Sequence, residues 1–83
     1  MSKTDIKTAL REFIQTNFMV SEFDDDDSFL EQGIIDSLGV LDVMGFVESN
    51  FNVRPTPQDV TPENFDSLNR LTDYVYRNAV VST

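Results

Sequence analysis

Eighty-three residues with a formal charge of −9, and with neither His nor Cys, narrow the chemistry of this chain. The length suits one small domain, residues 1–83, which buries roughly 60–65% of its unfolded-chain surface and leaves little room for a deep active site. The missing residues exclude a disulfide framework, a thiolate site and the usual base of a hydrolytic serine, and no apolar run approaches the ~20 residues of a membrane span.

The first predicted element runs from Ser2 or Thr4 to about Met19. Ile6, Ala9, Leu10, Phe13 and Ile14 follow helical spacing. Ser2 with Asp5 three residues on forms a capping box, and Asp5 suits the positive end of the helix dipole. Thr4-Asp5-Ile6-Lys7 is already amphipathic, unlike the apolar stretch of a signal peptide. The expectation is a soluble protein of the cytoplasm.

Residues 20–36 read as a long loop. The run Asp24-Asp25-Asp26-Asp27 invites a calcium reading, but an EF-hand counted from Asp24 needs Gly and Glu where Phe29 and Ile35 stand. A solvated acidic loop is expected, with no metal site. Between Glu12 and Val53 there are ten acidic residues and no basic one. That field repels nucleic acid and anionic lipid and steers basic protein partners.

A second helix is expected from Ser37 to about Asn50, with Asp36 or Ser37 as its N-cap. Val40, Val43, Met44, Val47 and Phe51 form one stripe for the core. Leu38, Leu41 and Gly45 lie on another side, with Asp42, Glu48 and Ser49, as an apolar surface rimmed by acids and suited to docking. Phe46 fits neither face and is left to pack on the third helix or to meet a partner. Pro55 and Pro57 mark a connector. Thr61 followed by Pro62 then opens a helix of about one turn. Ser67 caps a fourth helix carrying Leu68, Leu71, Thr72, Val75 and Ala79. The fold class is all-α, a small four-helix bundle with three main helices, a short third helix and a long first loop.

The string Gly33-Ile34-Ile35-Asp36-Ser37-Leu38, set between a long loop and an acidic-apolar helix, resembles the modification motif of acyl carrier proteins and peptidyl carrier domains. The similarity covers nearly the whole chain. It implies a non-catalytic protein whose Ser37 accepts 4′-phosphopantetheine from coenzyme A through a phosphopantetheinyl transferase. The thiol of that arm then carries an acyl or aminoacyl thioester between an activating ligase and downstream synthase or transferase enzymes. Asp36 corresponds to the motif aspartate that meets the transferase, and its alternative role is helix capping. Leu38, Leu41, Asp42 and Glu48 correspond to partner-contact positions. A monomer is the implied state.

Gly39, Gly45 and Ser49 depart from the fatty-acid carrier pattern, which often has acids at the first and last of these. Ile34-Ile35 is similar to stand-alone carriers that work beside separate ligases. Asp66-Ser67-Leu68 repeats the tripeptide without the preceding Gly, and Ser67 reads as a helix cap. Two other readings stand beside the resemblance. An unmodified acidic adaptor would bind through Leu38, Leu41 and Phe46, with Ser37 only a cap; an enzyme would have to rely on Asp36 and Asp42.

Overall fold

A computed structural model describes residues 2–81 and contains four helices: α1 (Lys3–Asn17), α2 (Gly39–Phe51), α3 (Pro62–Phe65) and α4 (Leu68–Val81). α1 opens on the capping box, in which Ser2 Oγ accepts from the Asp5 N–H at 3.1 Å and Asp5 Oδ2 from the Ser2 N–H at 3.4 Å. Ile6, Leu10 and Ile14 of α1 meet Val43 and Val47 of α2 and Leu68, Leu71 and Val75 of α4 in the core, all at most 2% exposed. Each such side chain contributes about 1.5–3 kcal/mol by leaving water. Val40, Met44 and Phe51, placed on the same stripe by their spacing, are half-buried at the core's edge. α1 packs most extensively on α4, and α3 on the start of α4.

The acidic run is less solvated than its composition suggests. Asp25 pairs with Lys7 Nζ at 3.1 Å and with the Arg11 guanidinium. Arg11 also donates to the Phe23 carbonyl at 3.0 Å and lies 4.8 Å from the Phe23 ring centroid. Asp26 accepts from Asn69 Nδ2 at 2.7 Å, and Asp27 from the Asp24 N–H at 2.9 Å. Asp25 and Asp26 therefore tie the loop to α1 and α4 and Asp27 bonds within it, while Asp24 and Asp26 stay exposed to solvent as expected.

The repeated tripeptide has a structural job too. Asp66 accepts from Ser28 Oγ at 2.5 Å and from the Leu30 N–H at 3.1 Å. Ser67 Oγ accepts from the Arg70 N–H at 3.1 Å, the expected N-cap of α4. Thr61 stands at the expected cap of α3, but its carbonyl and not its side chain meets the Asn64 and Phe65 N–H groups.

Phe46 goes to neither place expected of it. Its ring stacks on Phe13 of α1 with centroids 4.1 Å apart, and meets Phe51 edge-on at 5.9 Å. A second surprise lies in α4: the Thr72 hydroxyl is fully buried without a hydrogen-bond partner among the described residues. A desolvated, unpaired hydroxyl costs about 1–3 kcal/mol. Thr72→Val, of similar shape, is expected to raise the Tm by several degrees in thermal denaturation; a lower Tm would show that the hydroxyl is satisfied.

Candidate functional site

The segment before α2 is shaped from both sides. Gly33 sits at φ +68°, in the left-handed region, and closes a turn in which Ile34 N–H reaches the Phe29 carbonyl at 2.8 Å and Gly33 N–H the Leu30 carbonyl at 3.2 Å. This pair of bonds with a left-handed Gly is the usual stop of a helical turn. It turns the chain so that Ile35 is buried, 3% exposed, while the next three residues face solvent.

Asp36-Ser37-Leu38 forms the turn that opens α2. The regular helix begins at Gly39, two residues later than the sequence suggests. Of the two cap candidates Asp36 acts: its Oδ1 accepts from the Gly39 N–H at 2.7 Å, and its carbonyl from the Val40 N–H at 3.2 Å. Ser37 is exposed, and no residue of the described chain hydrogen-bonds its hydroxyl. Ser67 is the opposite case, 3% exposed with its Oγ engaged. The two Asp-Ser-Leu strings thus separate by geometry into an exposed hydroxyl and a buried cap.

Leu38 and Leu41 are 75% and 62% exposed, so neither packs under the preceding loop. Asp42 and Glu48 are exposed as well, although Glu48 pairs with Arg54 at 3.3 Å beyond the end of α2. Phe46, stacked on α1, is not available to this face, which removes one of the three contacts of the adaptor reading. Leu30, whose apolar character suggests a place pinned onto the bundle beside Phe29, Ile34 and Ile35, is instead 56% exposed on the neighbouring loop.

Beside Ser37 lies an apolar cleft of about 230 Å³, lined by Leu30, Ile35, Val40, Val60, Pro62 and Phe65 among others. Its far wall is pinned to α4. Tyr74 Oη donates to Asp59 Oδ2 at 2.9 Å, and Asn64 Nδ2 donates to the Asp59 carbonyl at the same distance. Burial first, and the hydrogen bond to Asp59 second, push the Tyr74 phenol up from 10.0 to about 12. The same bond, followed by one from the Thr56 backbone, holds Asp59 below its ordinary value. A phenol whose folded value is raised stabilises the fold below its unfolded value, and that contribution is lost as pH rises through about 12. We expect tyrosinate absorbance to show one late step near that pH, absent from Tyr74→Phe; an unchanged titration in the variant would contradict the Tyr74–Asp59 contact.

An exposed hydroxyl on a fixed turn, a free apolar rim and an adjacent cleft suit a tethered flexible group. Residues 6–75 match the family described as "Phosphopantetheine attachment site". A D-alanyl carrier protein of Streptococcus suis (strain 98HAH33) is 32% identical over 69 residues, covering 81% of this chain and 86% of that protein. The chain belongs to the phosphopantetheine-attachment family of carrier proteins. It is a carrier and not an enzyme, and its cofactor is covalently attached 4′-phosphopantetheine.

Proposed function

We propose that Ser37 is the attachment point and that the protein carries a small aminoacyl group as a thioester. The observation that carries this reading is the contrast at the two tripeptides: Ser37 is exposed and makes no hydrogen bond among the described residues, whereas Ser67 is buried and holds α4. Transfer joins Ser37 Oγ to the phosphorus bearing the pantetheine arm and breaks the pyrophosphate bond of coenzyme A. Adenosine 3′,5′-bisphosphate leaves, and the hydroxyl proton passes to a base of the transferase, since this chain has no His to take it. The arm supplies the thiol that a chain without Cys lacks.

Two findings favour a small cargo. The cleft beside Ser37, at about 230 Å³, falls below the ~300–1,000 Å³ of sites that enclose a drug-sized ligand. The similar Streptococcus suis protein is named for a D-alanyl cargo. The partners in this reading are a phosphopantetheinyl transferase, a separate amino acid-activating ligase and a downstream transferase. They dock on Leu38, Leu41, Asp42 and Glu48 through basic surfaces. We place the protein as a stand-alone monomer in the cytoplasm, the compartment that supplies coenzyme A.

The test is intact-protein mass spectrometry after incubation with coenzyme A, magnesium and a broad-specificity transferase, followed by loading with alanine or a long-chain fatty acid by the matching ligases. One phosphopantetheine followed by alanine supports the reading; fatty acyl loading alone overturns the cargo. Exposed ion pairs are worth ~0.2–1 kcal/mol each, so Asp42→Lys with Glu48→Lys is expected to cut kcat/KM with the transferase by about three- to tenfold at low salt. The deficit should shrink as salt rises. Equal rates at low salt would remove these acids from the docking face.

A further inference from the structure

α2 meets the end of α1 at Gly39, and there is no space at that point. A Cβ built on Gly39 would lie 2.7 Å from Phe18 Cε1, 3.0 Å from Ile35 Cγ2 and 3.2 Å from Asp36 Oδ1. The first distance is shorter than side-chain carbons adopt, so the ring edge of Phe18 rests directly on the backbone of Gly39. Gly45, six residues on in the same helix, has nothing among the described residues within 4 Å of its missing side chain.

Phe18 is held at its backbone and on one side of its ring. Its N–H bonds to the Ile14 carbonyl at 3.0 Å, and the chain then turns through left-handed Met19, with Val20 N–H on the Gln15 carbonyl at 3.2 Å. Its ring meets Phe13 edge-on at 6.2 Å, and Phe13 is itself stacked on Phe46 of α2. The same Gly39 backbone donates its N–H to Asp36 Oδ1 at 2.7 Å. One unbroken line of contact therefore runs from the Phe18 ring through Gly39 to the carboxylate that shapes the Ser37 turn. A longer side chain at position 39 has no room here unless Phe18 moves.

We propose that Phe18 and Gly39 are positioning residues for modification: the ring edge on the glycine backbone holds the Asp36–Ser37–Leu38 turn in the pose that presents the Ser37 oxygen to the transferase. The proposal rests on Ser37 being the attachment point. Neither residue touches the reacting atoms. They act through Asp36, so the consequence falls on the orientation of the hydroxyl and not on the exposed docking face of Leu38 and Leu41. Displacements of about 1 Å are enough to slow a reaction by as much as a hundredfold.

The experiment compares transfer kinetics for wild type, Ser37→Ala, Gly39→Ala, Phe18→Trp, and the double variant Gly39→Ala with Phe18→Leu, with the folded fraction of each followed by circular dichroism at the assay temperature. Ala is the better helix former, so local propensity favours Gly39→Ala. It is expected to stay folded and to lose at least fivefold in kcat, with KM within twofold. Phe18→Trp crowds the same contact from the other side and is expected to do the same. Phe18→Leu shortens the ring edge and is expected to return the double variant to within twofold of wild type. Wild-type kcat in folded Gly39→Ala or Phe18→Trp overturns the proposal, as does a double variant no faster than Gly39→Ala or a loss that follows the folded fraction. Unmodified wild type would instead overturn the Ser37 reading beneath it.

Discussion

Ser37→Ala is expected to abolish phosphopantetheine attachment while leaving the Tm almost unchanged, because the Ser37 hydroxyl is exposed and makes no hydrogen bond within the described residues. The turn keeps its shape through Asp36, whose carboxylate caps Gly39. Ser67→Ala is expected to do the reverse. Its Oγ is the N-cap of α4 and the residue is 3% exposed, so the loss is about 1 kcal/mol or more of stability with full modification retained. Intact mass and thermal melts on the two variants give four readings. A modified Ser37→Ala, or an unmodified and well-folded Ser67→Ala, would reverse the assignment.

The largest expected effect on stability is at Leu71. Its side chain is fully buried on α4, among the core residues contributed by α1, α2 and the long loop. Truncation to Ala removes the transfer energy of the lost carbons and leaves a cavity, together about 2–5 kcal/mol. A chain of this size has a total stability of only roughly 4–12 kcal/mol. Leu71→Ala should therefore lower the Tm by at least about 10 °C. A drop of less than about 3 °C would mean that α4 is not the spine on which α1 and α3 pack.

What the sequence made legible follows the reach of its signals. The capping box at Ser2 and Asp5, Pro62 at the first position of α3, and the Ser67 cap are all local, set within three or four residues, and all appear as expected. Helical spacing identified the faces of α1 and α4 and the exposure of Leu38 and Leu41. Contacts between distant residues carried no such signal. Asp25 finds Lys7 and Arg11, Asp66 finds Ser28 and Leu30, and Phe46 finds Phe13, each across more than a dozen positions. The spacing of Phe46 could say only that it leaves the stripe of Val43 and Val47; which helix waits on that side is decided by the whole bundle.

The site divides in the same way. The motif around Ser37 was visible because its residues are consecutive, and the resemblance to carrier proteins supplied the chemistry. The choice between Asp36 and Ser37 as the cap of α2 was open until the geometry gave that task to Asp36, which leaves the serine hydroxyl unengaged among the described residues. The close approach at Gly39 was invisible. It comes from Phe18, on a separate element twenty-one residues earlier. The cleft beside Ser37 is likewise assembled from the long loop, the start of α2, and the connector with α3.

The most direct test is fragmentation mass spectrometry of wild-type protein after transfer from coenzyme A, read at the peptide that spans residues 33–42. The phosphopantetheine should map to Ser37 alone. Its location on Ser67 or any other hydroxyl, or the absence of any gain in mass on the folded protein, would contradict the assignment of Ser37 as the point where this carrier takes its arm.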